Sequence, residues 1–139
     1  MIDKARLIAK CKEAGKSVTA QRLDIIEELS NLDSSVSAYD LLEYLNNKGH
    51  SFNISTIYRV LDFWIDIGVV HKVESNNTYL ICNDSHLDHF HVLLHCDNCQ
   101  SVEESCEISN KVSIANNQKF TPKKGQVIEL HGLCNNCKS

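Results

Sequence analysis

Two matched cysteine pairs, Cys96-Asp97-Asn98-Cys99 and Cys134-Asn135-Asn136-Cys137, offer four thiolates in the CxxC spacing that tetrahedral zinc prefers. The 34 residues between the pairs exceed the span of a compact zinc ribbon. A metal held there is expected to close the fold by clipping together two elements distant in sequence. Disulfides are the competing use of these thiols. The odd count of seven cysteines, and opening residues with no charged-then-apolar leader, favour structural zinc and a reducing cytoplasm.

A second cluster of donors lies around the first pair. His71, His86, His89, His91, His95 and His131 crowd the second part of the chain, with Cys82 and Cys106 among them, against His50 alone earlier. A mixed His/Cys/Glu set is what a second zinc needs, and ligands drawn from both halves would let that ion alter their relative orientation. His71 and Cys82 stand where the halves join. His89 and His91 share one face of a strand by the period of two, and Glu103 and Glu104 follow the first pair closely. Cys11 and Cys106 have no pairing partner and read as small buried side chains.

The elements that must position these groups change character along the chain. Apolar residues recur at helical spacing as far as Ile67, predicting helices over about 3–14, from the Ser17-Val18-Thr19 cap onward, over about 38–46 and over about 55–67, with Gly49 and Gly68 as stops. Val69 to Val73 and Thr78 to Ile81, around Asn76-Asn77, predict a hairpin. Helices followed by a hairpin is the order of a winged helix. Beyond it, residues 89–95 read as a strand feeding the first cysteine pair, 104–117 as a helix, and 127–131 as a strand feeding the second pair. Two domains are expected, 1–82 and 83–139.

The helix over 55–67 turns a different set of residues away from its apolar stripe. Asn53, Ser55, Thr56, Tyr58 and Arg59 suit a recognition helix, since hydroxyls and Tyr can contact phosphate or bases and Arg can bond guanine through two N–H groups. Gln21, Arg22 and Lys72 are backbone-contact candidates. Charge runs the other way: the net is −4, and residues 1–75 hold nine basic and eleven acidic side chains. DNA binding must therefore rest on a local basic patch or on bound metal. With 42% apolar residues the chain is expected to fold around a core, and it carries no apolar run of the ~18 residues that a membrane span needs.

These strings together resemble the ferric uptake regulator family of bacterial metal-sensing repressors, and within it the zinc uptake regulator branch, over nearly the whole chain. The carriers are Val18-Thr19-Ala20-Gln21-Arg22-Leu23, Ser37-Ala38-Tyr39-Asp40-Leu41-Leu42, Ser55-Thr56-Ile57-Tyr58-Arg59-Val60-Leu61, His71-Lys72-Val73-Glu74-Ser75, Cys96-Asp97-Asn98-Cys99 and His131-Gly132-Leu133-Cys134. The resemblance implies an α+β protein, an N-terminal winged-helix DNA-binding domain plus a C-terminal α/β dimerisation domain. It also implies a homodimer that represses zinc-uptake genes from a pseudo-palindromic double-stranded operator when zinc is replete. Cys96, Cys99, Cys134 and Cys137 match the structural zinc ligands. His71, Cys82, His89 and Glu104 match the regulatory zinc ligands, with His91 as the alternative to His89, so two zinc ions per protomer are expected. Tyr58 and Arg59 match the DNA-reading pair.

Two departures stand out: Ala20 occupies a position where the family usually has proline, and the histidine-rich C-terminal tail of many members is missing. An iron, manganese or peroxide sensor would share the fold and the structural zinc. Cys82 points away from it, because a thiolate selects zinc over harder ions. A zinc enzyme is the alternative from another class. The chain has no HExxH and no HxE with PCxxC, and four protein ligands would leave no open coordination position. No enzyme activity is expected.

Overall fold

The computed structural model describes residues 3–82, 90–105, 119–120 and 126–138. The chain divides into two compact units, Met1–Ile81 and Cys82–Ser139, so that Cys82, expected to close the first, opens the second.

The first unit runs α1 (Lys4–Glu13), α2 (Ala20–Ser30), β1 (Val36–Ser37), α3 (Ala38–Asn47), α4 (Ile54–Ile67), β2 (Val70–Val73) and β3 (Thr78–Ile81). Each helix begins where a short polar side chain satisfies an amide that has no partner inside the helix. Asp3 Oδ1 accepts from the Ala5 N–H at 3.0 Å, Thr19 Oγ1 from Arg22 at 3.2 Å, Ser37 Oγ from Asp40 at 3.1 Å, and Asn53 Oδ1 from Thr56 at 2.9 Å. Gly68, at φ +90°, ends α4 in the left-handed conformation that glycine adopts without steric cost. Ile57, Val60, Leu61, Trp64 and Ile67 form the buried stripe of α4 at spacings of three and four residues. That stripe joins Ile25, Ile26 and Leu29 of α2 and Leu41 and Leu45 of α3 in one core.

Three strands, in the order β1-β3-β2 and all antiparallel, form the wing. β1 was not anticipated from the sequence: with only two residues it is too short to show alternation, and it exists because Val36 and Ser37 pair with Tyr79 and Thr78. The α3–α4 turn is pinned by Asn46, whose Oδ1 accepts from the Phe52 N–H at 3.0 Å while its Nδ2 donates to the Phe52 carbonyl at 3.3 Å. Lys48 Nζ reaches the mostly buried Glu28 at 2.8 Å and ties α3 to α2.

The second unit is built on a three-stranded sheet in the order β5-β4-β6, from β4 (His91–Cys96), β5 (Val102–Glu104) and β6 (Val127–Gly132). β4 is central and almost wholly buried, antiparallel to β5 and parallel to β6. Its apolar residues Val92 and Leu93 are fully buried, as a strand covered on both faces requires. Two expectations are corrected here. Glu104 ends a strand instead of opening a helix, because Glu103 and Glu104 pair with Leu94 and Leu93; the remainder of the expected helix, 106–117, lies outside the described residues. β6 also runs on to Gly132, which pairs with Cys96.

Candidate functional site

Parallel pairing of β4 with β6 puts His95 beside His131 and Cys96 beside Gly132, so the two strands deliver the two CxxC turns to the same end of the sheet. One donor atom from each of Cys96, Cys99, Cys134 and Cys137 lies within 4.8 Å of the others, and Cys99 Sγ is 3.8 Å from Cys134 Sγ. A tetrahedron with zinc–sulfur bonds of about 2.3 Å separates its corners by ~3.8 Å. None of these four cysteines is in a disulfide.

The charge state of the cluster fits a cation. Backbone N–H groups of Cys99 and Cys134 aimed at Cys96 Sγ, helped by that of Asn98, bring its thiol down to about 6. The Ser101 hydroxyl and amide lower Cys99. The Asn98 side chain draws Cys137 downward as well, but Cys134, desolvation and the Cys96 and Cys99 sulfurs outweigh it and leave that thiol pushed up to about 11. Converging thiolates oppose loss of the last proton, and a divalent ion removes that opposition.

A second group converges within the same unit. His91 Nδ1 lies 2.7 Å from Glu104 Oε1, and Cys82 Sγ stands 3.8 Å from His91 Nδ1 and 3.6 Å from Glu104 Oε1. Register explains the first pair: Glu104 lies opposite Leu93, so His91 is its diagonal neighbour on the same sheet face. The side chains of His91 and Glu104 are 0% and 1% exposed and Cys82 is 2% exposed. Tetrahedral zinc with bonds of about 2.0–2.3 Å needs ligand separations of ~3.3–3.8 Å, so the two sulfur distances fit and the His91–Glu104 pair has to open slightly. His71 lies in β2 of the first unit and is buried. His89 falls outside the described residues.

On α4, Ser55, Tyr58 and Arg59 are exposed and Thr56 is buried. Thr56 Oγ1 accepts from Arg59 Nη2 at 3.3 Å, so this hydroxyl steadies the arginine and does not itself face outward. Tyr58 packs edge-on against the exposed Tyr39, ring centroids 6.5 Å apart, a partner the sequence reading missed although Tyr39 stands in the first turn of α3. Gln21 is exposed. Arg22 is engaged within its own unit: Nη1 donates to the Ser17 carbonyl at 2.6 Å, the guanidinium lies 3.8 Å over the Phe63 ring, and the Arg22 carbonyl accepts from Trp64 Nε1 at 3.1 Å. Its role here is to join α2 to α4. Lys72 Nζ lies 3.5 Å from Glu74.

A winged helix followed by a unit with a four-cysteine cluster and a buried sulfur, nitrogen and oxygen donor set defines a class, the metal-binding winged-helix proteins. The family is more particular. The sequence model of the Ferric uptake regulator family matches residues 13–137. The Zinc uptake regulation protein of Escherichia coli (strain K12) is 35% identical over 133 residues, covering 91% of this chain and 76% of that one. The Ferric uptake regulation protein of the same strain is 33% identical over 125 residues, covering 88% and 80%. A solved structure of a zinc uptake regulator complexed with zinc and DNA superposes with a TM-score of 0.76 at 33% identity, covering 95% of this chain and 90% of that one. The chain belongs to the ferric uptake regulator family. Among the described residues no helix is long and apolar enough to cross a membrane.

Proposed function

We propose that this protein is a cytoplasmic, zinc-responsive DNA-binding repressor of zinc-uptake genes, with zinc as corepressor. In this reading it acts as a homodimer on a pseudo-palindromic operator, with half-sites about one helical turn apart. Cys96, Cys99, Cys134 and Cys137 hold a structural zinc. Cys82, His91 and Glu104 hold a regulatory zinc, with His71 as the fourth ligand that the family resemblance implies, which gives two ions per protomer. His91 takes the place first expected of His89, on the support of its 2.7 Å approach to Glu104.

The observation that carries the choice of metal is Cys82 Sγ beside His91 Nδ1 and Glu104 Oε1. Overall similarity does not decide it, since a zinc and an iron relative stand at 35% and 33% identity. A thiolate among nitrogen and oxygen donors favours zinc, whereas iron and manganese favour sets without sulfur. Binding requires Cys82 to give up its proton and His91 to present a bare ring nitrogen.

When bound, the regulatory zinc supplies positive charge and a cross-link that favour the DNA-competent arrangement of the dimer. The chain's own residues do the reading. Exposed Arg59, steadied by Thr56, offers paired N–H donors to guanine, and Tyr58, braced by Tyr39, offers a hydroxyl and a ring edge. Ser55 and Gln21 contact phosphates, while Arg22 fixes the angle between α2 and α4. Catalysis has no part in this reading, because four protein ligands leave no open position for a reacting water.

The test is binding of an operator probe at fixed salt, with free zinc buffered from picomolar to nanomolar and with iron(II) and manganese(II) run in parallel. Binding that appears with zinc alone is expected, and Cys82→Ser should narrow the margin between zinc and manganese. Binding driven by iron or manganese would refute zinc sensing and leave the family assignment standing.

A further inference from the structure

We propose a third metal site in the second unit, formed by His95, Glu129 and His131 and suited to a divalent ion of borderline hardness such as zinc. Its ligand atoms lie within 4.8 Å of one another. They share a sheet face: His95 and His131 are direct partners across the parallel β4–β6 pair, and Glu129 precedes His131 by two residues. The imidazole rings stand 4.7 Å apart, centre to centre.

Hydrogen bonds hold both rings in place. Gln100 Oε1 accepts from His95 Nε2 at 2.9 Å, and Asp97 Oδ1 accepts from His131 Nδ1 at 3.0 Å. An oxygen acceptor draws the proton onto the nitrogen it faces, which turns His131 Nε2 toward Glu129. His131 Nε2 then meets Glu129 Oε1, a lone pair against a carboxylate, at 3.7 Å. A shared proton would draw such a pair to about 2.7–3.2 Å. Two ligands on one tetrahedral zinc stand ~3.4 Å apart, nearer to the distance observed. Acceptors bonded to the far nitrogen of each ring are also what orients histidine in metal sites generally.

The site is separate from both others. His95 stands four positions beyond His91 on β4, with Val92, Leu93 and Leu94 between them, a distance of ~13 Å along an extended strand. The cysteine cluster uses Cys96, whose side chain points to the opposite sheet face from that of His95. Two imidazoles and a carboxylate without thiolate make a weaker zinc site than either, with water completing the coordination beside the partly exposed His131. An ion there pins β4 to β6 at the last register position before the CxxC turns. Metal content would rise to three per protomer at high free zinc, whatever the role of Cys82.

The full-length protein is dialysed against zinc buffered first at nanomolar and then at micromolar free concentration, and bound metal is counted. Wild type is expected to take up one further ion per protomer at the higher level, and His131→Gln and Glu129→Gln to lose that ion alone. Asp97→Asn, which alters only the group behind His131, should weaken it by about ten- to a hundredfold. Cobalt(II) added last should give the visible bands of nitrogen and oxygen ligation without thiolate charge transfer, a signature that loss of folding would not reproduce. Equal uptake by wild type and both ligand variants, or thiolate charge transfer from the last cobalt bound, would overturn the proposal.

Discussion

Stripping the four-cysteine site of metal should open the second unit and leave the first intact. The link from Cys99 to Cys134 closes a loop of 36 residues. Releasing it returns about (3/2)RT ln n, ~3 kcal/mol, of chain entropy to the opened state. This is a floor, because coordination adds its own preference for the folded form. The whole stability of a unit of 58 residues, Cys82–Ser139, scales to only ~3–9 kcal/mol. A loss of ~3 kcal/mol raises the population of the open form by ~200-fold. Hydrogen exchange at the amides of Val92 to His95, in the central strand, reads that population directly. The one tryptophan, Trp64, is fully buried in the first unit's core and follows that unit by fluorescence in the same samples. Loss of this site alone, through Cys134→Ser with Cys137→Ser, is expected to speed β4 exchange by at least ~200-fold and to leave the urea midpoint seen by Trp64 in place. Acceleration of less than about tenfold, or a Trp64 transition that moves in step, would refute the reasoning.

Arg59→Ala should weaken operator binding by ~1–3 kcal/mol and relax base preference, measured by anisotropy at fixed salt. Thr56→Val, which keeps the buried volume but removes the acceptor for Arg59 Nη2, should show a smaller loss in the same assay. Trp64→Phe removes the bond to the Arg22 carbonyl and leaves a gap in the core, at a cost of ~2 kcal/mol, which lowers the melting temperature of the first unit by about 10 °C in calorimetry. The Cys11 thiol is fully buried and raised by desolvation, with Arg22 opposing weakly. Its alkylation in the native protein should run at least a thousandfold, about 4 kcal/mol, slower than in urea, as mass spectrometry would show.

The helices and the wing hairpin were legible because their stripes, caps and glycine stops are local signals. Thr19, Asn53 and Gly68 each act within a few residues of where they stand. β1 was not legible, because two residues carry no period and only Tyr79 and Thr78 make them a strand. Glu104 looked like the start of a helix for the same reason in reverse: its strand identity comes from Leu93, eleven positions away. The cysteine cluster announced itself by spacing. The Cys82, His91 and Glu104 group did not, since any of several histidines fitted the pattern until diagonal pairing across β4 and β5 favoured His91. The same register sets His95 beside His131, 36 positions apart.

The parallel pairing of β4 with β6 also fixes an order of events during synthesis. At about 5–20 residues per second, the ribosome delivers residues 127–132 roughly 2–7 s after residues 91–96. The first unit is complete by then. Cys82, His91 and Glu104 are all present once residue 104 has emerged, and β5 can already pair with β4. Cys96 and Cys99 must meanwhile wait for Cys134 and Cys137. The nascent chain therefore holds its mixed donor set seconds before its four-thiolate set, and each molecule meets the metal supply of the cell first through the group proposed to read that supply.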